Sequence, residues 1–141
     1  KDIAMILLII AGSGMLKQVM EESGIAQNLA GHLVQVDISP LLLGWLITAA
    51  IRACVGSATV AALTAGGGLL PLSQQAGVPA HLMVLSIGAG SLMFSHVNDS
   101  GFWLFKEYFG LSLKDTFRTW SVMEAIVSVA GLGGVLLLNA L

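Results

Sequence analysis

The sequence predicts an all-α integral membrane protein, and three observations carry that prediction. Hydrophobic residues make up 56% of the 141 positions and charged ones only 10%, against about 25% charged in an ordinary soluble domain. Mean hydropathy is +0.90. The apolar residues fall into blocks of roughly membrane-spanning length, and the sparse polar residues cluster inside two of those blocks. The same composition excludes a disordered chain, which needs low hydrophobicity and high net charge. Six Lys and Arg against eight Asp and Glu give a net charge of -2 and no basic face for a nucleic-acid partner. A single cysteine, Cys54, excludes a disulfide framework or a Cys-rich zinc site.

The chain opens on Lys1 rather than Met, then runs into an apolar stretch ending in the small residues Ala11, Gly12, Ser13 and Gly14. That is the outline of a signal peptide, but further apolar blocks follow. The better reading is a piece of a longer protein cut just ahead of a spanning helix, and residues 3–20 have about the length that such a helix needs. Residues 23–37 are more polar, with Ile25, Leu29, Leu33 and Val36 at helical spacing among Gln27, Asn28, His32 and Asp37. This pattern suits an amphipathic helix lying at the membrane interface.

Residues 40–74 are too long for one crossing and too short for two. One helix of that length would measure about 52 Å, while two crossings need about 40 residues plus a turn. Arg52, Gly56, Ser57 and Thr59 occupy the middle of the block. The expectation is a re-entrant helical hairpin whose tip lies at 56–59, surrounded by protein or a water-filled cavity because exposed backbone does not survive in lipid. Residues 79–109 repeat the anomaly, with an apolar run over 82–94, a polar run over 95–101 and apolar residues again through Phe105. They read as a transmembrane helix broken in its middle. Residues 117–140 read as a final spanning helix, on which Ala130 and Gly134 offer a small-xxx-small face for close packing. Lys106, Lys114 and Arg118 flank one loop, which the positive-inside rule makes cytoplasmic. The hairpin then opens from outside.

Two broken elements in one membrane segment are the way secondary transporters build a site, with half-helix N-termini facing anions and freed carbonyls facing cations. Ser57, Thr59 and Asp99 stand where new half-helices would begin, so each is either a cap alone or a cap that also contacts a solute. A carboxylate at membrane depth is costly, which makes Asp99 a proton carrier, a cap or a partner for Arg52. His96 is a candidate proton relay or a hydrogen-bonded structural residue. Arg52 offers a planar fork for a carboxylate; it binds an acidic substrate, or pairs with Asp99 or Glu124. The His/Asp pair is too sparse for a metal site, and neither a His-Glu-x-x-His nor a Gly-x-Ser-x-Gly motif suggests an enzyme.

The run FSHVNDSGFWLFKEYFG from Phe94 to Gly110 resembles the carboxy-terminal part of the bacterial gluconate:proton symporter family, the gluconate permeases. The runs TWSVME from Thr119 and RACVGSATVA from Arg52 fit the same region. The resemblance implies a multi-pass protein of the bacterial inner membrane, of which this chain is about the last third. It implies membership of the ion-transporter superfamily and one half of an inverted-repeat architecture, completed by an amino-terminal repeat and, by analogy with dicarboxylate relatives, by a homodimer. Those relatives carry Ser-Asn-Thr at the hairpin tip, whereas this chain has Gly56, Ser57, Ala58 and Thr59. A sodium site is therefore less well supported than proton coupling, and no cofactor is implied.

The expectation drawn from all this is proton-coupled symport of gluconate or a related sugar acid. Gly56, Ser57, Thr59, Asn98, Ser100 and Arg52 would hold the substrate, while Asp99 or His96 takes the proton. The alternatives are a symporter for another small hydroxy-carboxylate or D-serine, a channel, or a membrane subunit with no site of its own.

Overall fold

The computed structural model describes residues 38–75 and 77–141, together with Ala4, Leu7, Leu8, Ala11, Met15, Gln18, Val19, Glu22 and Ser23. The expected spanning helix over 3–20 and interfacial helix over 23–37 lie outside the described residues apart from those scattered positions. The described part is all helical. In chain order it comprises α1 (Pro40–Val55), α2 (Ala58–Gln75), α3 (Ala80–Gly90), α4 (Ser100–Tyr108), α5 (Leu113–Thr116), a π-helical turn (Phe117–Ser121) and α6 (Val122–Ala140).

Local chemistry explains where the helices start and stop. Pro40 opens α1, where a missing N–H costs nothing. Gly56 closes it in the left-handed conformation, φ 73°, and its N–H donates to the Arg52 carbonyl. Ser57 then starts α2, its Oγ accepting from the Val60 N–H at 3.3 Å. The chain thus stops one helix and starts another within two residues. Leu69 of α2 lies beside Gly44 of α1, so α2 folds back along its predecessor.

The arms close on a row of residues four apart. Leu43, Ile47, Ile51 and Val55 of α1 meet Ala61, Ala65 and Leu69 of α2, with Met83 and Ile87 of α3 packed on the same cluster. Small residues bring α3 tightly onto α1: a Cβ on Gly90 would lie 2.5 Å from the Trp45 carbonyl oxygen. A second cluster of Leu41, Leu82 and Val135 ties α6 to the far ends of α1 and α3. Buried hydroxyls reinforce these crossings. Ser86 donates to the Leu41 carbonyl, and Ser128 accepts from Trp45 Nε1 at 3.0 Å and donates to the Ala89 carbonyl at 2.6 Å.

Three details depart from the sequence-based reading. Helix α3 ends at Gly90 rather than near Phe94, because the chain turns through Ser91 to Phe94, and Phe94 takes a positive φ of 52°. The last helix is continuous from Leu113 to Ala140, because Ser112 caps it by accepting from the Asp115 N–H. Its packing face is Ser128, Gly131 and Val135, with Gly131 against Ala89, whereas Ala130 and Gly134 are exposed. Among the described residues, this 28-residue helix is the one long and apolar enough to cross a membrane by itself.

Gly56 meets two constraints at once. Besides its positive φ, a Cβ there would sit 2.3 Å from the Asn98 carbonyl oxygen. We predict that Gly56→Ala destabilises the intact protein by at least about 2 kcal/mol, from left-handed strain plus overpacking. A thermal unfolding midpoint in detergent that did not fall would contradict this packing.

Candidate functional site

The hairpin tip and the break after α3 are docked onto each other through Asn98. Helix α1 ends with carbonyls that have no intrahelical donor. Asn98 supplies the donors from across the junction, its Nδ2 reaching the Ala53 carbonyl at 2.9 Å and the Cys54 carbonyl at 3.1 Å. Carbonyls only accept, so the amide nitrogen must face them and Oδ1 faces elsewhere. That oxygen is buried and has no hydrogen-bond partner among the described residues.

Arg52, one turn before the tip, is 3% exposed. Its Nη2 donates to Asp99 Oδ2 at 2.6 Å and to Glu124 Oε2 at 3.4 Å. One cation therefore joins α1, the break and α6. The rest of its fork, Nε and Nη1, is buried without a partner among the described residues.

Asp99 is held on every side. Oδ1 accepts from the Gly101 N–H at 2.8 Å, which caps α4. Oδ2 accepts from Arg52 and from the Ser95 hydroxyl. Ser95 in turn accepts from Trp120 Nε1 at 2.8 Å, and its carbonyl accepts from the Ser121 hydroxyl. Trp120 and Ser121 are the last two residues of the π-helical turn, an element that often marks functional sites. Glu124 sits one turn later with Arg52 as its single hydrogen-bonding partner among the described residues.

The remaining candidates lie around this junction. His96 is half-buried, its ring 5.9 Å from that of Phe94, and its Nδ1 faces the Asn98 N–H at 3.5 Å. Ser57 is half-buried and caps α2. Thr59 and Ser100 are exposed, and their side chains form no hydrogen bond among the described residues. Sequence reasoning overlooked Ser95, Trp120 and Ser121, and treated Glu124 as one of two candidate partners for Arg52. A polar row at 121, 124 and 128 on an otherwise apolar helix was the available signal.

The arrangement can do two things chemically. It presents free donors from a buried guanidinium beside a free buried acceptor from an amide, a pairing that suits a solute bearing both a carboxylate and hydroxyls. It also holds two carboxylates on one cation, which makes protonation and anion binding interdependent. Among the described residues no group of three or more His, Cys, Asp or Glu could hold a metal ion.

A family model described as GntP family permease matches residues 1–141. A protein of Escherichia coli (strain K12) named high-affinity gluconate transporter is 55% identical over 139 residues, covering 99% of this chain and 32% of the relative. A gluconate permease of Bacillus subtilis (strain 168) is 53% identical over 138 residues, 98% of this chain and 31% of the relative. An Escherichia coli (strain K12) protein named Gnt-II system L-idonate transporter is 50% identical over 138 residues, again 98% and 31%. The chain thus spans about a third of the length of the curated relatives it matches. No solved structure matches.

Breaking one side of the Arg52–Asp99 pair leaves an uncompensated charge in apolar surroundings. We predict that Arg52→Gln or Asp99→Asn alone destabilises the intact protein by about 3–5 kcal/mol, and that the double substitution costs clearly less than the two together. Thermal unfolding of the four variants of this cycle measures the coupling; additive losses would mean that the pair contributes nothing.

Proposed function

The chain belongs to the GntP permease family, and we propose that it forms the solute-holding half of a proton-coupled symporter for gluconate or a related sugar acid. The single observation that carries this reading is the unsatisfied polarity at the junction. Arg52 Nε and Nη1 are donors on opposite sides of the guanidinium, Asn98 Oδ1 is an acceptor, and all three are buried without a partner among the described residues. Natural proteins rarely leave such groups unpaired. A hydroxy-carboxylate satisfies both kinds: its carboxylate accepts from a free Arg52 N–H and a hydroxyl donates to Asn98. Ser57, Thr59 and Ser100, with the backbone at Gly56, are the further polar groups available to a long polyol chain. The names of the relatives above, for gluconate and L-idonate, support a six-carbon sugar acid as the substrate.

Helices α1 and α2, at 16 and 18 residues, measure about 24 and 27 Å. Both are shorter than the roughly 30 Å hydrocarbon core, so a hairpin entering from one face keeps its tip inside it. Glu124 lies about 16 Å along its helix from Leu113 and about 24 Å from Ala140, a depth that matches the tip. Family membership and the apolar exposed face of α6, with Val122, Ile126, Val129 and Leu137, support a multi-pass protein of the bacterial inner membrane with the 106–118 loop in the cytoplasm. The rest of the protein supplies the second half of the site, and the resemblance to dicarboxylate carriers supports a homodimer. The coupling ion is the proton, drawn from the titratable groups His96, Asp99 and Glu124 that surround Arg52.

Uptake by the intact protein in proteoliposomes tests this reading. An inward-acid pH gradient should drive gluconate above its equilibrium level, which a channel cannot do. Sorbitol, an uncharged polyol of the same length, should compete poorly. Arg52→Lys loses the planar edge, and at about 1.5–3 kcal/mol for each charged hydrogen bond it should weaken gluconate binding about 10–100-fold. Equal competition by sorbitol, or unchanged affinity in the lysine variant, would remove the anion clamp.

A further inference from the structure

We propose that Glu124 binds the coupled proton, and that it does so by exchanging places with the substrate carboxylate on Arg52. The inference rests on the symport reading above and assigns its proton to one residue. It follows from charge and from unequal bonding around a single guanidinium. Arg52 faces two carboxylates, so the cluster is one negative charge in excess inside an apolar segment. A second uncompensated anion in such surroundings is strongly disfavoured. An anionic solute can therefore accept from Arg52 at low cost only if one of the two carboxylates takes up a proton and leaves the guanidinium.

Geometry decides which one. Asp99 accepts three hydrogen bonds, from Arg52, Ser95 and the Gly101 N–H, and the last of these also caps α4. Protonation at Oδ2 would set an O–H against the Arg52 and Ser95 donors, and protonation at Oδ1 would set one against the Gly101 N–H that caps α4. Glu124 has only the 3.4 Å contact to Arg52 Nη2, the longer of that atom's two ion pairs. Its protonation breaks one weak contact and disturbs nothing else among the described residues. His96 forms no ion pair with either carboxylate among the described residues.

The groups that face Glu124 can be stated element by element. Arg52 comes from α1, and Asp99 and His96 come from the break. Helix α3 brings only His81, at the end that packs toward Val135. On its own helix the nearest charge is the exposed Arg118. Of these, Arg52 alone touches the Glu124 carboxylate. A proton from water on one side joins a Glu124 oxygen as the Arg52 Nη2–Oε2 contact breaks, and the substrate carboxylate takes the guanidinium. Release of the substrate on the other side restores the contact and returns the proton to water there. Each cycle moves one proton with one carboxylate.

The test uses the intact protein, with gluconate as the probe. In a weakly buffered detergent solution, wild-type protein should take up about one proton per gluconate bound, and its affinity should fall about tenfold for each pH unit above the Glu124 titration. Glu124→Gln should take up none and bind gluconate with a flat pH profile. In proteoliposomes it should exchange gluconate by counterflow but no longer concentrate it under a pH gradient. Glu124→Asp should keep both activities. The proposal is overturned if Glu124→Gln still concentrates gluconate or still takes up the proton. It is equally overturned if counterflow disappears along with accumulation, since Glu124 would then serve binding or folding. Wild-type protein that never concentrates gluconate would instead overturn the symport reading itself.

Discussion

A single buried guanidinium organises this part of the molecule. Arg52 belongs to α1, Asp99 to the break before α4, and Glu124 to the last helix, so one side chain joins three elements that are far apart in sequence. In water such a cluster would contribute little, because solvent competes for every charge. In the surroundings of a membrane segment the same charges have nowhere else to go, and losing one partner costs several kcal/mol. The elements must therefore assemble in the register that brings these groups together. The apolar residues around them, Ile51, Val55 and Phe102 among them, make contact but do not dictate register, since one aliphatic side chain packs against a neighbour much as another does.

Broken helices raise a second problem that the junction answers. Each interruption frees backbone donors and acceptors that lipid cannot satisfy. Ser57 and Asp99 cap the two new N-termini from within their own segments. The freed carbonyls at the end of α1 have no such local partner, and Asn98 provides for them from the other break. Gly56 is what lets Asn98 come that close. The tip and the break thus satisfy each other, and among the described residues what stays unsatisfied is confined to Arg52 and the buried Oδ1 of Asn98. On the proposed reading a solute meets that remaining polarity, because every other buried polar group at the junction is engaged among the described residues.

Much of this was legible in the sequence. The length of the 40–74 block and the polar run at 95–101 indicate two interruptions, and the structure has helix ends at Val55 and Gly90 with new starts at Ala58 and Ser100. The candidate partners of Arg52 were also readable, because few acids are available in a chain this apolar. What could not be read is which candidate is engaged and how firmly. Asn98 reads in the sequence only as a solute ligand; that its amide nitrogen also caps a helix 45 positions away is a role no local pattern encodes. Ala130 and Gly134 have the right spacing for close packing, yet the helix rotates Gly131 toward Ala89 instead. Periodicity identifies a face, and tertiary contacts choose among faces. The early end of α3 is of the same kind, since Leu92 and Met93 are good helix formers and the turn there serves the position of Ser95.

On the symport reading, the two carboxylates on Arg52 let coupling and specificity come from one place. If Arg52 had a single carboxylate partner, an anionic solute would meet a neutral pair and could bind without a proton. With two, the anion competes for a cation already outnumbered, and its entry raises the proton affinity of whichever carboxylate is held more loosely. Linkage makes the effect reciprocal, so a bound proton strengthens solute binding by the same factor. A neutral polyol would contact Asn98 without drawing a proton and would gain nothing from Arg52. On the symport reading, selection for an acid and coupling to a proton are two consequences of the same excess charge.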